Sequence, residues 1–350
     1  MLLGWMAIAS LRAQSPAKPV TPTPPPTTST LVGTMELPEL KEAIQLLKDN
    51  YIHAEALQET ELSRATFEGI LARLGRGVIL LPDAAAESSE PATPFFGEIL
   101  DGHIGYVRFG NLDRPNLEAL DKNLQNFAAK KVAALVIDLR ASPATNDFAT
   151  AAEFAKRLCP KGKMLFTVRK TTARQEQTFT SDRDPAYQGL TIILADSDTA
   201  GAAEAIAGVV HLYDKALIIG QPTAGRAVEY SDLKLPSGKI LRVAVGEAIL
   251  PESRPLFPGG LSPDVPVELA AVEKREIFQQ SREKGMMPFV AENPRPHLNE
   301  AALIAGRNPE IEAMENAQRR GRASEKPGVH DLVLQRALDL VTSIEILQKR

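Results

Sequence analysis

The stretch "ADSDTAGAAEAIAGVV", residues 195–210, decides how the chain is read. It follows the apolar run "LTIILA" (190–195) and leads into a run of helical character that ends near Tyr213. A continuous β-branched run bounded by turn residues reads as a strand covered on both faces. The small and apolar residues after it read as a buried helix over 199–213. Strand, tight turn and helix in that order form a frame on which hydrolases mount a nucleophile. The residue at this turn is Gly201, which has no side chain to attack anything.

Working outward, the same alternation recurs. "IGYVRF" (104–109), "VAALVIDL" (132–139), "MLFTVR" (164–169) and "ALIIG" (216–220) read as strands. "PNLEALDKNLQNFAAKK" (115–131) aligns Leu117, Leu120, Leu124 and Phe127 on one helix face, and "FATAAEFAKRL" (148–158) reads as a second helix. Alternating strands and helices of this kind imply βαβ units and a parallel sheet. Beyond Arg226 the pattern becomes a hairpin, with "LPSGK" (235–239) as the turn between "VEYSDLKL" and "ILRVAVGEAIL".

Before this core, "LPELKEAIQLLKDNY" places Leu40, Ile44 and Leu47 on one helix face. "ELSRATFEGILARLG" does the same with Leu62, Phe67, Ile70, Leu71 and Leu74. Residues 83–98 read as loop. Residues 273–329 are charged and punctuated by Pro and Gly, so a mixture of short helices and mobile chain is expected there. The closing stretch "DLVLQRALDLVTSIEILQKR" reads as a helix capped by Asp331, with Leu334, Leu338 and Val341 on one face.

The start, "MLLGWMAIASLRAQSPAK", has an apolar region followed by Leu11-Arg12-Ala13, the pattern of an export signal with a small-residue cleavage site. It is too short to span a bilayer. It lacks a basic beginning, which leaves the true translation start open, and no cysteine follows to carry a lipid anchor. Export to a periplasmic or secreted location is the expectation, with no transmembrane span in the mature chain. The expected organisation is a signal peptide (1–14), a Pro/Thr-rich linker (15–34), a helical segment (35–82) and an α/β core (99–272). A charged, partly disordered segment (273–329) and a terminal helix (330–350) complete it.

Composition excludes several functions. The 350 residues carry a net charge of −4 and only 5% aromatics, so neither a basic footprint nor stacking surfaces for nucleic acid are present. Cys159 is the one cysteine, which excludes an intrachain disulfide or a Cys-rich zinc site; it reads as a small core residue at a helix end. No His-Glu-x-x-His stretch or paired His/carboxylate cluster suggests a metal, and no cofactor is expected. "GQPTAGRA" (220–227) imitates a phosphate-binding loop but has Arg and Ala where lysine and a hydroxyl belong, and no helix pattern follows it.

The order of "IGYVRF", "ALVIDLR", "LCPKGK", "YQGLTIILADS", "AAEAIAG", "ALIIGQPTAG", "LPSGK" and "GLSPDVPVEL" resembles the tail-specific, or C-terminal processing, serine peptidase family. The resemblance covers residues 104–269 and the closing helix, while the segment at 38–74 looks like that family's leading helices. It implies a ClpP/crotonase-like α/β core. Family members usually insert a peptide-binding PDZ module before the core. Here about 20 residues separate Leu81 from Ile104, too few for a compact domain, so the module is expected to be missing.

The resemblance also implies a Ser–Lys dyad, and this sequence departs from it. The nucleophile position falls on Gly201 in Thr199-Ala200-Gly201-Ala202-Ala203-Glu204. The lysine position falls on Arg226, whose guanidinium stays protonated and cannot act as a general base near neutral pH. The family's helper glutamine falls on Tyr230. The Pro-Gly-Gly turn of the oxyanion hole reads Pro143-Ala144-Thr145, so its amides are expected to have lost their inward geometry. Ser197, Thr199 and Ser142 are the fallback nucleophiles, against which Thr199 reads as a helix N-cap and Asp196 and Asp198 as turn residues. Of the histidines that could replace lysine, His103 reads as a turn residue and His211 as structural.

Three readings remain. The first is an exported, catalytically inactive family member that binds a polypeptide tail or another envelope protein as a scaffold. The second is an active serine peptidase with relocated catalytic groups. The third is a binder of a small apolar carboxylic acid. Interphotoreceptor retinoid-binding proteins resemble the same peptidase core yet bind apolar ligands, and Ala202-Ala203-Glu204 and Thr223-Ala224-Gly225 are similar to theirs. The expected binding residues are Ala144, Thr145, Ala202, Glu204, Arg226 and Tyr230. Arg226 would favour a carboxylate, or else pair with Glu204 or Asp198.

Overall fold

The structure is a computed structural model, and it describes residues 28–82, 94–170, 173–214, 216–290 and 329–348. The expected signal, the start of the linker and most of the charged segment lie outside those residues. The chain divides into two compact units, residues 1–73 and 74–350.

The first unit contains helices α1 (Thr28–Gly33), α2 (Leu37–Asn50) and most of α3 (Glu59–Leu74). α2 begins with Pro38 inside its first turn, where the missing N–H costs no hydrogen bond. The helices fall where the apolar periodicity puts them. The burial expected of that face does not follow: Ile44, Leu47, Phe67 and Ile70 are exposed.

The second unit is built on two sheets. The core sheet has six strands in the order β12-β8-β7-β4-β3-β2. Its strands are β2 (Phe96–Leu100), β3 (Ile104–Arg108), β4 (Ala134–Asp138), β7 (Leu190–Ala195), β8 (Leu217–Gly220) and β12 (Val265–Pro266). All neighbours pair in parallel except β2, which runs antiparallel to β3. The second sheet is antiparallel and centres on β10 (Ile240–Leu250). β1 (Val78–Leu81), β5 (Met164–Lys170), β9 (Val228–Lys234) and β11 (Arg254–Pro255) pair with it, and β6 (Gln175–Thr180) pairs with β5. The expected hairpin is β9–β10, closed by Leu235 N–H on the Lys239 carbonyl at 2.8 Å, with Gly238 at φ +85°. The architecture is the α/β class that the sequence implies.

Period-two alternation sends the parallel strands' side chains into two separate cores. Val107, Leu135, Ile137 and Ile193 face α4 (Arg114–Lys130), α5 (Phe148–Lys156), α6 (Ala202–Asp214) and the second sheet. Tyr106, Val136, Ile192 and Leu194 face α7 (Ala271–Lys284), Phe289 and α8 (Leu332–Gln348). Each face is covered, which is why these strands read as unbroken apolar runs.

The structure corrects the sequence reading in three places. The boundary expected at 273 falls inside α7, a 14-residue helix whose Ile277 is fully buried in the second core. β1, β2, β6 and the two-residue strands β11 and β12 were unexpected: β1 lies in the segment read as helical, β2 begins inside the expected loop, and β6 is an exposed polar strand. The helix read as starting at Thr199 starts at Ala202.

Candidate active-site region

Gly201 is the residue immediately before α6 and has φ +63°, in the left-handed region that glycine tolerates best. A Cβ built on it would collide with the backbone carbonyl oxygen of Thr145. The two residues form an isolated parallel bridge, in which Ala202 N–H donates to that carbonyl at 2.8 Å. The turn after β4 is thus stitched by its backbone to the start of α6. Downstream, Thr145 Oγ1 accepts Asp147 N–H at 3.2 Å, and Asp147 caps α5 through Thr150 N–H at 3.0 Å.

Glu204 organises the other side of the turn. It is fully buried and sits three residues after Gly201, so its carboxylate reaches back to the Gly201 N–H at 3.0 Å, the acidic half of a capping box. The same oxygen, Oε2, accepts Arg226 N–H at 2.7 Å, while Oε1 accepts Thr223 Oγ1–H and Gly225 N–H, both at 2.6 Å. One carboxylate therefore ties the start of α6 to the loop 223–226. Gly225 has φ +62° and lies against Pro258 and Gly260, which leaves no room for a side chain. Ala224 N–H donates to the Thr199 carbonyl at 2.9 Å, a further tie between the two loops.

The expected site residues are thus brought together in part. Thr145, Gly201, Ala202 and Glu204 form one backbone-knit cluster, and Arg226 joins it through its N–H. The Arg226 side chain is half-buried and makes no ion pair with Glu204 or Asp198. Asp198 pairs instead with Lys274 at 2.7 Å. Ala144 is exposed on the turn without a contact to the cluster. Tyr230 lies on β9 and donates its hydroxyl to the Arg76 carbonyl at 2.9 Å. Arg76 in turn donates to the Ala224 carbonyl. Burial pushes the Tyr230 phenol pKa up, against the pull of the Arg226, Arg242 and Arg76 charges.

The fallback nucleophiles are placed differently from one another. Thr199 is fully buried, and its hydroxyl accepts Asp196 N–H at 3.1 Å. It holds the Asp196–Thr199 turn and is not the residue before the helix, which corrects its reading as an N-cap. Asp196 and Asp198 are turn residues, as expected; Asp196 Oδ1 accepts the N–H groups of Asp198 and Thr199 at 3.0 and 3.2 Å. Ser197 is exposed on that turn. Ser142 is buried, and its hydroxyl finds no partner among the described residues. His103 holds a turn through Asp101 O at 2.7 Å, and His211 bonds Ala216 O at 2.6 Å. Cys159 is buried where α5 ends.

Two buried charge groups escaped the sequence reading. Lys274 of α7 inserts beneath the Asp196–Asp198 turn, 2.5 Å from Asp196 Oδ2 and 3.3 Å from the Arg140 carbonyl. Arg140, nearly inaccessible, is bidentate to both Asp138 and Asp331 at 2.7–3.0 Å. Asp331 also caps α8 by accepting Leu334 N–H at 3.0 Å. Burial opposes the charge on Asp138, but the Arg140 guanidinium and the Tyr106 hydroxyl at 2.7 Å overcome it and hold its carboxyl below the usual aspartate range. The only outward signal was the pair Asp138-Leu139-Arg140, since Asp331 lies 191 residues further on. Among the described residues there is no group of three His, Cys, Asp or Glu side chains that could hold a metal, and no helix long and apolar enough to cross a membrane.

Comparison with known proteins gives this geometry a lineage. The sequence model of peptidase family S41 matches residues 103–267. A carboxyl-terminal-processing protease of Synechocystis sp. is 22% identical over 174 residues, 50% of this chain and 40% of that protein. The chloroplastic carboxyl-terminal-processing peptidase 1 of Arabidopsis thaliana is 27% identical over 164 residues, 46% of this chain and 33% of that protein. The chain thus aligns with well under half the length of these curated relatives. In fold, it is similar to the crystal structure of a candidate peptidase from Parabacteroides merdae, with a TM-score of 0.50 at 15% identity, covering 69% of this chain and 85% of that one. Through the core at 103–267, the chain is similar to peptidase family S41, and its curated relatives are carboxyl-terminal-processing peptidases.

Proposed function

We propose that the chain is a non-catalytic member of this family, exported from the cytoplasm, that binds polypeptide tails or an envelope protein partner and does not cut them. The observation that carries this reading is the Thr145 carbonyl at Gly201. Position 201 lacks a nucleophile, and the space its side chain would need is filled by backbone. The neighbouring Ala202 N–H, which the frame offers to a developing oxyanion, is bonded at 2.8 Å to that same carbonyl. Arg226, with a permanently charged guanidinium, stands where a neutral lysine would be needed. Nucleophile, base and one electrostatic donor act as a unit, so losing all three leaves little catalysis.

Two further features support a binding role. Residues 82–95 are all that separates β1 from β2, too few for a PDZ module, so tail recognition would fall to the core itself. The apolar start of the chain with its small-residue cleavage pattern supports export.

The test is hydrolysis of reduced casein, an unstructured substrate, by the full chain. No cleavage is expected. Cleavage abolished by Ser197→Ala, Thr199→Val or Ser142→Ala would overturn the reading in favour of a relocated nucleophile.

A further inference from the structure

Arg76 and Arg226 bring two guanidinium groups to the loop 223–226 that the proposed loss of catalysis does not use. The Arg76 side chain donates to the Ala224 carbonyl, and Tyr230 O–H donates to the Arg76 carbonyl at 2.9 Å. Arg76 is thereby pinned across the loop that carries Arg226, two residues on from Ala224. Tyr230 stands in the field of both guanidinium groups.

The carboxylates nearby are all committed elsewhere. Glu204 is fully buried and already accepts four donors. Asp232 is bidentate to Arg242 at 2.7 and 2.8 Å. Glu229 lies 2.7 Å from Lys170. Among the described residues, neither Arg76 nor Arg226 has an ion-pair partner, yet Arg226 is half-buried and Arg76 is anchored. A guanidinium offers five N–H donors in a planar fork that matches a carboxylate, and Arg76 spends only one nitrogen on Ala224. Arg76, held by its bond to the Ala224 carbonyl, and the half-buried Arg226 two residues further on leave guanidinium donors at this loop for an anion.

We propose that Arg76, braced by Tyr230, and Arg226 bind a carboxylate, and that the carboxylate is the C-terminus of the bound polypeptide tail. The second half of that statement rests on the tail-binding reading above. The first half stands by itself, because a small apolar acid presents the same group.

The experiment titrates the full chain with a ten-residue alanine- and leucine-rich peptide bearing a free C-terminus, with its C-terminal amide, and with decanoate. The free-acid peptide is expected to bind about ten-fold or more tightly than the amide, since a charge-assisted bond is lost. Arg226→Gln and Arg76→Gln are each expected to remove most of that preference, read as the ratio of free-acid to amide affinity within each variant. Arg76 is exposed, so its variant is expected to fold as the parent does, and the amide peptide needs no variant at all. Equal binding of the two peptides would overturn the carboxylate site and leave tail binding standing. Binding of decanoate alone, lost in Arg226→Gln, would keep the site and overturn the tail. Binding of none of the three would overturn both.

Discussion

The carbonyl oxygen of Thr145 lies where a side chain on residue 201 would begin, and Gly201 is held there at φ +63°. A serine at 201 therefore meets two penalties. The left-handed backbone costs a non-glycine residue about 1–2 kcal/mol, and displacing a packed backbone atom costs about 1–3 kcal/mol more. Gly201→Ser and Gly201→Ala are both expected to lower stability by about 2–5 kcal/mol in urea unfolding. Gly201→Ser combined with Arg226→Lys is expected to stay inert on casein, because the Ala202 N–H remains bonded to Thr145. A double variant as stable as the parent, or one that cleaves, would mean that the 143–145 turn retreats easily.

Glu204 is the next point of leverage. Its carboxylate satisfies four donors from two loops, and three of them, at Gly201, Thr223 and Gly225, are on buried residues. Hydrogen bonds to charged groups contribute about 1.5–3 kcal/mol each, and buried donors left open cost on the same scale. Glu204→Ala is expected to destabilise by at least about 3 kcal/mol. Hydrogen exchange should show the amides of Gly201, Gly225 and Arg226 losing protection together, while those of β3 and β4 keep theirs. Loss confined to Gly201 would mean that the loop 223–226 is held by other means.

How much of this was legible in the sequence follows from the range of the interactions. The parallel strands and α4, α5 and α6 were readable because their signals are local: unbroken apolar runs and a 3.6-residue period. β6 was not, since Gln175–Thr180 is a polar edge strand whose pairing with β5 leaves no alternation to read. Gly201 at the turn before α6 was legible, but what lies against it was not. Thr145 arrives from a different strand 56 residues earlier, and only the fold brings its carbonyl to α6. Glu204 was visible as a site residue, whereas its four partners depend on two loops meeting. Arg140 and Asp331, like Lys274 and Asp196, are pairings across the chain that no local window contains.

Lys274 tests whether α7 supports the site region. Its ammonium lies 2.5 Å from Asp196 and 2.7 Å from Asp198, and it is 5% exposed. Removing one partner of a buried pair strands the other, typically at about 3–5 kcal/mol. Asp198 is exposed and will resolvate, so Lys274→Met is expected to cost about 3 kcal/mol, mostly through Asp196. Adding Asp196→Asn to that variant should restore part of the loss, read as a positive coupling in a double-mutant cycle. Strict additivity would sink the pairing as an energetic contact.

Asp138, held by Arg140 and Tyr106, makes the fold sensitive to acid, and the direction follows from its environment. Burial raises the Asp138 pKa, but Arg140 and Tyr106 together hold it below the ordinary value of 3.8. The unfolded chain therefore binds a proton that the folded chain refuses. The stabilisation is complete above the ordinary value and is lost as pH falls through it toward the folded one. Melting temperatures measured from about pH 6 down to about pH 3 are expected to fall most steeply below about pH 4. Asp138→Asn should be less stable at neutral pH, because Arg140 keeps only Asp331, and its melting temperature should fall less steeply in acid. Asp331→Asn leaves the Asp138 pair intact and weakens the α8 cap, so it is expected to lower stability at neutral pH. A parent and an Asp138→Asn variant with the same acid slope would place the titrating group elsewhere.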